Sequence, residues 1–189
     1  MLEKEIKILN INQDEIIKKL EDFWAVKTFE WMIHDVYYDF PSDSKKAKMQ
    51  ENNRMFRVRT KGETHIYTIK NKRFDVEENE AVIAKDEHEM PITDVESFSE
   101  VLEKYGMVKT REKKKHRVSY RLVNAEFDFD KYDDIPALLE IEEESELNID
   151  FWLRKLDLTE EKIFLWGSKK LFKHYGIEYM HFDYKNEEK

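Results

Sequence analysis

The chain has 189 residues, of which 40% are charged and 40% apolar, and its formal net charge is -9. This apolar content, with 13% aromatic residues, excludes a disordered chain and suits one domain with a sizeable core. The absence of cysteine excludes disulfides, thiolate zinc sites and cysteine nucleophiles. The negative charge predicts that the protein binds neither nucleic acid nor an anionic membrane, although a local basic cluster can still bind an anion.

Hydrophobic periodicity predicts four helices and nine strands. In chain order these are strand Leu2–Leu9, helix Asn12–Phe23, strands Trp31–Phe40, Arg54–Lys61, Thr64–Lys72 and Ala81–Met90, helix Thr93–Tyr105, strands Met107–Lys113, Lys115–Leu122, Ala125–Lys131 and Leu138–Glu143, and helices Ile149–Leu156 and Glu160–Tyr175. Polar stretches over Pro41–Asn53 and Arg73–Glu80 are predicted loops. We expect one domain over residues 1–177 and a solvated tail over residues 178–189.

Local signals define the ends of several predicted helices. Asn12 is a plausible N-cap for the first helix. Thr93, with Glu96 three residues later, fits a capping box for the second helix. Gly106 and Gly176 follow the second and the last helix, where a glycine commonly ends the helical conformation.

Phosphate recognition, if the protein has it, must come from side chains. The chain has only four glycines and no glycine-rich phosphate-binding motif. Met1–Leu9 has no apolar run, and no stretch approaches the roughly 20 apolar residues of a membrane span. We therefore expect a cytoplasmic protein that has no membrane partner.

Seven of the predicted strands carry charged side chains on one face, because side chains alternate between the two faces of a strand. The acidic pairs are Glu3 and Glu5, Glu87 and Glu89, Asp128 and Asp130, and Glu140 and Glu142, and the basic positions are Lys7, Arg57 and Arg59, Lys70 after Thr68, and Lys115 and Arg117. One such strand would indicate an ordinary solvated face. Seven strands sorted by sign indicate a dedicated charged surface.

These faces predict an α+β fold with a closed antiparallel eight-stranded β-barrel, a tunnel, whose helices pack outside and whose interior is charged. Buried like charges are costly unless they are paired or bind ions. Clustered carboxylates favour a divalent cation, whereas clustered Lys and Arg favour a multiply charged anion. A metal–polyphosphate complex satisfies both, and an apolar ligand of the lipocalin type satisfies neither.

The same residues form a series of short motifs. In chain order they are Glu3-Lys4-Glu5-Ile6-Lys7, Asp35-Val36-Tyr37-Tyr38-Asp39, Arg57-Val58-Arg59, Thr68-Ile69-Lys70, Glu87-His88-Glu89, Lys115-His116-Arg117-Val118-Ser119-Tyr120, Phe127-Asp128-Phe129-Asp130 and Leu139-Glu140-Ile141-Glu142. With a final helix over Trp166–Gly176, this order resembles the CYTH superfamily, also called triphosphate tunnel metalloenzymes. That family is named for class IV adenylyl cyclases and thiamine triphosphatases.

The resemblance implies a role for each charged group. Mg²⁺ or Mn²⁺ would be held by acidic residues near both ends of the chain, namely Glu3, Glu5, Glu140 and Glu142, with Asp128 or Asp130. The phosphates would be bound by Lys7, Arg57, Arg59, Lys70 and Arg117. The catalytic candidates are Glu5, Lys7 and Glu142.

The Lys-rich stretch before Tyr120 leaves two registers open for the Lys-x-Arg motif. Lys115 with Arg117 is favoured by the spacing to Asp128, and Lys109 with Arg111 remains an alternative. Arg111 and Lys115 are therefore also candidates for phosphate binding.

The first functional hypothesis is a metal-dependent triphosphatase that acts on inorganic triphosphate, a nucleoside triphosphate or thiamine triphosphate. The second is a class IV adenylyl cyclase, in which the 3′-hydroxyl of ATP attacks the α-phosphorus and pyrophosphate leaves. The third is a non-catalytic module that binds polyphosphate or nucleotide. Hydrolysis is favoured because attack by water requires less specific machinery. The expected partner is a small-molecule triphosphate, and the expected state is a monomer or homodimer.

Overall fold

The structure, a computed structural model, describes residues 4–41, 54–75, 81–143, 146–158, 163–165 and 167–177. The strands are β1 (Lys4–Ile8), β2 (Val26–Asp39), β3 (Arg54–Lys61), β4 (Thr64–Asp75), β5 (Ala81–Ile92), β6 (Val108–Leu122), β7 (Ala125–Tyr132), β8 (Ile135–Glu143) and β9 (Ile163–Phe164). The helices are α1 (Gln13–Asp22), α2 (Val95–Lys104), α3 (Glu146–Lys155) and α4 (Ser168–His174). The fold is therefore α+β, as predicted.

The strands form a mostly antiparallel sheet in the order β5-β4-β3-β2-β6-β7-β8-β1-β9. The prediction of a closed eight-stranded barrel is wrong. Among the described residues the sheet has nine strands, and its end strands β5 and β9 do not pair with each other. Side-chain alternation shows that a strand has a charged face, but it does not determine whether the two end strands of a sheet meet.

The described residues divide into two compact units. The first unit lies within Met1–Met32, Arg73–Lys85 and Lys115–Ile177, and the second lies within Ile33–Lys72 and Asp86–Lys114. Strands β2 and β6 each contribute a part to both units.

The first unit has an apolar core between one face of its strands and the helices α1 and α3. Its members include Ile8, Ile16, Leu20, Phe127, Phe129, Ile141, Trp152 and Leu156. Each such side chain contributes about 1.5–3 kcal/mol when fully buried. Asn12 caps α1 as predicted, since its side-chain oxygen accepts a hydrogen bond from the Glu15 N–H at 3.4 Å.

The second unit has its own apolar core, which α2 covers. Its buried members are Tyr38, Phe40, Phe56, Val58, Leu102 and Met107. The capping box at Thr93 is wrong by one residue. Asp94 is the N-cap, because its carboxylate accepts hydrogen bonds from the Ser97 N–H at 3.0 Å and the Ser97 hydroxyl at 2.7 Å.

Several predicted boundaries differ from the structure. The two strands predicted over Met107–Leu122 are one continuous strand, β6, which includes the five consecutive charged residues 111–115. The helix predicted over Glu160–Tyr175 contains instead β9, which pairs with β1, and the shorter α4. Tertiary pairing here overrides helical periodicity.

The glycines that follow α2 and α4 have positive φ, as their predicted role requires: Gly106 has φ 94° and Gly176 has φ 68°. None of the described helices combines the length and apolar composition of a membrane span. Residues 42–53, most of one predicted loop, and the predicted tail over 178–189 lie outside the described residues.

Candidate metal and triphosphate site

Strands β1, β8, β7 and β6 bring a set of charged side chains together in the first unit. The pairing register of the strands brings them together, since Glu5 lies opposite Glu142, Lys7 opposite Glu140, and Arg117 opposite Asp130. The alternate residues of the same strands form the apolar core, so the charged set lies on the other face. We call this set the first charged cluster: Glu5, Lys7, Lys115, Arg117, Ser119, Asp128, Asp130, Glu140 and Glu142.

Arg117 is at the centre of the first charged cluster. Its Nε and Nη2 donate to the two oxygens of Asp130 at 2.6 and 2.7 Å, and Nη2 also donates to Glu140 Oε2 at 2.5 Å. Its Nη1 donates to Asp128 Oδ2. Burial opposes the charge on Arg117, but the carboxylates of Asp130, Glu140 and Asp128 outweigh it and raise the Arg117 pKa well above its ordinary value.

Asp128 differs from Asp130 in its surroundings. Burial, together with the charges of Asp130 and Glu140, raises the pKa of Asp128 in spite of Arg117 and the Ser119 hydroxyl. The Asp128 carboxylate is thus poorly stabilised as an anion and would gain from another positive charge. Asp130 is fully buried and contacts both Arg117 and Lys115.

Three carboxylates of this cluster fit a metal ion. Asp128, Glu140 and Glu142 each offer an oxygen, and these oxygens lie within 4.8 Å of one another. Asp130 is not in this group. Oxygen donors suit Mg²⁺ and Mn²⁺. Among the described residues, the first charged cluster holds five carboxylates and three bases, and this excess of negative charge favours a divalent cation.

The N-terminal motif contributes Glu5 and Lys7 to the first charged cluster. The Lys7 Nζ contacts Glu5 and lies 3.3 Å from Glu140 Oε1. Lys7 is buried, and Glu5 and Glu142 are half-buried. Of the predicted metal ligands, Glu3 lies outside the described residues.

The second unit brings together a different set, which we call the second charged cluster: Asp35, Tyr37, Arg57, Arg59, Thr68, Glu89, Arg111 and Lys113. Asp35 is almost fully buried and accepts from Arg59 Nε at 2.7 Å and Arg59 Nη2 at 2.9 Å. Burial alone would raise the pKa of Asp35, but Arg59 outweighs burial and holds that pKa well below its ordinary value. Asp35 therefore fixes the orientation of Arg59.

Tyr37 links this pair to two further bases. Its hydroxyl donates to Asp35 Oδ2 at 3.4 Å. The Arg111 guanidinium lies 3.9 Å and the Lys113 ammonium 5.2 Å from the centre of the Tyr37 ring, both within cation–π range. Burial and the charge of Asp35 raise the pKa of Tyr37, so the phenol stays a donor. Sequence reasoning quoted Asp35 and Tyr37 in a motif but gave neither a role, although Asp35 lies opposite Arg59 in the register.

The remaining predicted bases of the second unit are on the same face. Arg57 Nη2 donates to the Thr68 hydroxyl at 3.0 Å, and that hydroxyl donates to Glu89 Oε1 at 3.1 Å. Lys70, half-buried, follows Thr68 by two residues on β4. The side chain of Glu87 lies outside the described residues.

The bases of the two open registers of the Lys-x-Arg motif lie in different units. Lys115 and Arg117 join the first charged cluster, and Arg111 joins the second. Lys109 lies 3.7 Å from Glu103, a half-exposed ion pair.

The comparison with protein families identifies the chain. A model of the CYTH domain matches residues 1–171. This chain belongs to the CYTH family. Members of that family process triphosphates and depend on metal ions.

Solved structures share the CYTH fold. The PH1012 protein of Pyrococcus horikoshii has 24% identity and a TM-score of 0.71, covering 90% of this chain and 99% of its own. A candidate adenylate cyclase of Vibrio parahaemolyticus has 16% identity and a TM-score of 0.72, covering 92% and 98%. A candidate adenylyl cyclase of Hippeastrum, described as having a dominant triphosphatase activity, has 13% identity and a TM-score of 0.54, covering 98% and 92%. No curated protein matches the sequence significantly.

Proposed function

We propose that this CYTH protein is a metal-dependent triphosphatase whose first charged cluster binds a divalent metal ion and the triphosphate. The observation that carries the proposal is the group Asp128, Glu140 and Glu142, whose oxygens lie within 4.8 Å of one another beside buried Lys7 and Arg117. Carboxylates without bases would repel a triphosphate, and bases without carboxylates would need no metal. The cluster holds both.

Asp128, Glu140 and Glu142 are the proposed ligands of Mg²⁺ or Mn²⁺. Glu5 on β1 lies opposite Glu142 on β8 and is a further candidate ligand. Glu3 is a candidate ligand on the sequence motif alone. A bound divalent ion supplies Lewis-acid stabilisation of charge on phosphate oxygens. Asp130 is assigned a different task, because its two oxygens hold Arg117 and Lys115 in place.

The bases of the first charged cluster are proposed to bind the phosphate oxygens. Lys7, Lys115 and Arg117 are buried, where electrostatic stabilisation of developing charge is stronger than in water. Phosphoryl transfer depends mainly on positioning and on such stabilisation. Glu5 and Glu142 are proposed to orient the attacking water and to accept its proton.

Arg57, Arg59, Lys70 and Arg111 of the second unit also stay proposed phosphate-binding residues. Arg57, Arg59 and Arg111 belong to the second charged cluster, where bases outnumber carboxylates among the described side chains. Lys70 follows Thr68 of that cluster by two positions on β4, and this excess of positive charge would attract an anion. Variants of these residues test the role separately from the metal ligands.

Adenylyl cyclase activity is the second candidate. The name of the Vibrio parahaemolyticus protein supports it, whereas the description of the Hippeastrum protein supports hydrolysis. The two reactions differ in the nucleophile, which is the ribose 3′-hydroxyl in one and water in the other. A binding module without catalysis would need Glu5 and Glu142 only to hold the metal ion.

The experiment incubates the protein with inorganic triphosphate, ATP and thiamine triphosphate, each with Mg²⁺ or Mn²⁺, and separates the products by chromatography. Release of orthophosphate by the wild type, but not by Glu5→Gln, supports a triphosphatase. The substrate that is hydrolysed fastest identifies the substrate class. Asp133→Asn, in an exposed turn, is the matched control and should keep full activity. Cyclic AMP and pyrophosphate from ATP would make the protein a cyclase, and no turnover would contradict an enzymatic role on this panel.

A further inference from the structure

Arg117 contacts two of the three carboxylates that are proposed to hold the metal ion. Its Nη1 donates to Asp128, and its Nη2 donates to Glu140 at 2.5 Å. From these contacts we infer that Arg117 is an internal counter-ion of the metal site, so that the metal ion and the triphosphate bind cooperatively. This inference rests on the proposed function.

Two carboxylates of the proposed metal site share their charge with Arg117. Arg117 neutralises part of the charge of Asp128 and Glu140, which are otherwise buried beside Asp130. Oxygens that accept charge-assisted hydrogen bonds from a guanidinium are less available to a metal ion. A metal ion that takes the oxygens of Asp128 and Glu140 bound by Arg117 displaces Nη1 and weakens the contact of Nη2.

Arg117 also has a carboxylate partner outside the proposed metal site. Asp130 holds Arg117 through Nε and Nη2, and Asp130 is not one of the proposed metal ligands. Arg117 therefore remains tethered when the metal ion takes the other two carboxylates. A guanidinium that loses partners in a buried site is costly unless another anion replaces them. The planar fork of Arg117 fits two oxygens of a phosphate.

The consequence is a reciprocal coupling between two ligands. The metal ion frees the donors of Arg117 for a phosphate, and the phosphate removes those donors from the metal ligands. By linkage, each ligand strengthens the binding of the other by the same factor, for which 5–150-fold is a typical range, so we expect roughly 10-fold or more. Metal alone should bind weakly to the wild-type protein.

The test measures Mn²⁺ binding by calorimetry, without triphosphate, in the wild type and three variants. Arg117→Gln removes the competing donors and should bind Mn²⁺ roughly 10-fold more tightly than the wild type. Arg117→Lys keeps the charge but loses the fork, and it should fall between the two. Lys115→Gln removes the same charge as Arg117→Gln, but Lys115 contacts Asp130, which is not a proposed metal ligand, so this variant should change Mn²⁺ affinity much less.

A second readout covers folding. Arg117→Gln leaves crowded carboxylates, so its Tm should be lower than that of the wild type without metal and should rise more on addition of Mn²⁺. Should Arg117→Gln fail to fold, Arg117→Lys decides the question on its own.

A further titration repeats the Mn²⁺ measurement with a non-hydrolysable triphosphate analogue and corrects for the Mn²⁺ that the analogue binds in solution. The coupling between the two ligands should be present in the wild type and largely lost in Arg117→Gln.

The outcomes separate the two proposals. Equal Mn²⁺ affinity in the wild type and both Arg117 variants would overturn the counter-ion role, while the proposed triphosphatase function of the wild type would still stand. Equal effects of Arg117→Gln and Lys115→Gln would also overturn it, since net charge alone would then explain the change. No Mn²⁺ binding by any of these proteins, with or without the analogue, would overturn the proposed metal site itself.

Discussion

The two charged clusters have a similar construction, but the net charges of their side chains have opposite signs. Both use the residues of their strands that alternate with an apolar core, and both bury ionised groups. The first charged cluster has five carboxylates and three bases, whereas the second has two carboxylates and four bases. The same alternating strand pattern therefore produces an excess of negative charge in one cluster and an excess of positive charge in the other.

The carboxylates also have different tasks in the two clusters. In the second charged cluster Asp35 is fully engaged by Arg59, and its pKa is lowered. In the first charged cluster Asp128 is buried beside other carboxylates, and its pKa is raised. Asp35 therefore orients Arg59, whereas Asp128 would gain from a further positive charge.

The largest effect is expected from Arg59→Ala, which leaves Asp35 buried without its guanidinium partner. Loss of one partner of a buried ion pair costs about 3–5 kcal/mol in the free energy of unfolding. Urea unfolding measures this cost. The double variant Asp35→Asn with Arg59→Ala should recover part of it, and a double variant less stable than Arg59→Ala would show that Asp35 does not depend on Arg59.

Glu140→Gln should have the next largest effect, on activity. Glu140 contacts Lys7 and Arg117 and belongs to the group of proposed metal ligands. Mutation of a residue that only contacts a metal ligand typically lowers metal affinity or activity about 10–100-fold. Loss of a ligand itself should therefore lower kcat/KM by at least about 100-fold. Steady-state assays with inorganic triphosphate at several Mn²⁺ concentrations check this. A variant with wild-type kcat/KM would remove Glu140 from the metal site.

A smaller effect is expected from Tyr37→Phe, which keeps the ring but removes the hydroxyl that donates to Asp35. The loss should be about 1 kcal/mol in the free energy of unfolding, the usual net value of one hydrogen bond. Tyr38→Phe, in the apolar core on the opposite face, is the matched comparison. An effect of Tyr37→Phe no larger than that of Tyr38→Phe would contradict the role of Tyr37.

The smallest effect is a pH dependence of opposite sign in the two clusters. Asp128 has a raised pKa, so it stabilises the fold below its ordinary value of 3.8 and loses that contribution as the pH rises through the folded pKa. Asp35 has a lowered pKa, so its contribution is present above 3.8 and is lost as the pH falls through the folded pKa. Urea unfolding between pH 7 and pH 3 compares Asp128→Asn and Asp35→Asn with the wild type.

The expected curves differ in direction. Relative to the wild type, Asp128→Asn should become more stable as the pH rises above 3.8, and Asp35→Asn should become less stable as the pH rises towards 3.8 from below. Parallel curves for the two variants would mean that the two carboxylates have similar surroundings.

Much of this organisation could be predicted from the sequence because it follows from alternation. Phe127 and Phe129 were expected opposite Asp128 and Asp130, and the structure has them in the core. The α+β class and the family membership are confirmed as well. Short-range periodicity is sufficient for the placing of Phe127 and Phe129, since it depends only on neighbours along one strand, whereas the family came from the order of motifs along the chain.

Features that depend on distant partners could not be predicted. Asp128 and Asp130 share a face and a residue type, and only their different contacts with Arg117, Lys115 and Glu140 distinguish them. The strand β9 arises from pairing with β1 within a segment of helical periodicity. The number of strands and the open ends of the sheet are likewise products of pairing between strands.

The central claim is that the first charged cluster binds the metal ion. The most direct measurement is anomalous X-ray scattering at the manganese edge, from crystals grown with Mn²⁺ and a non-hydrolysable triphosphate analogue. We expect an anomalous peak coordinated by oxygens of Asp128, Glu140 and Glu142, with the analogue contacting Arg117. A well-ordered peak that none of these three carboxylates contacts would contradict it.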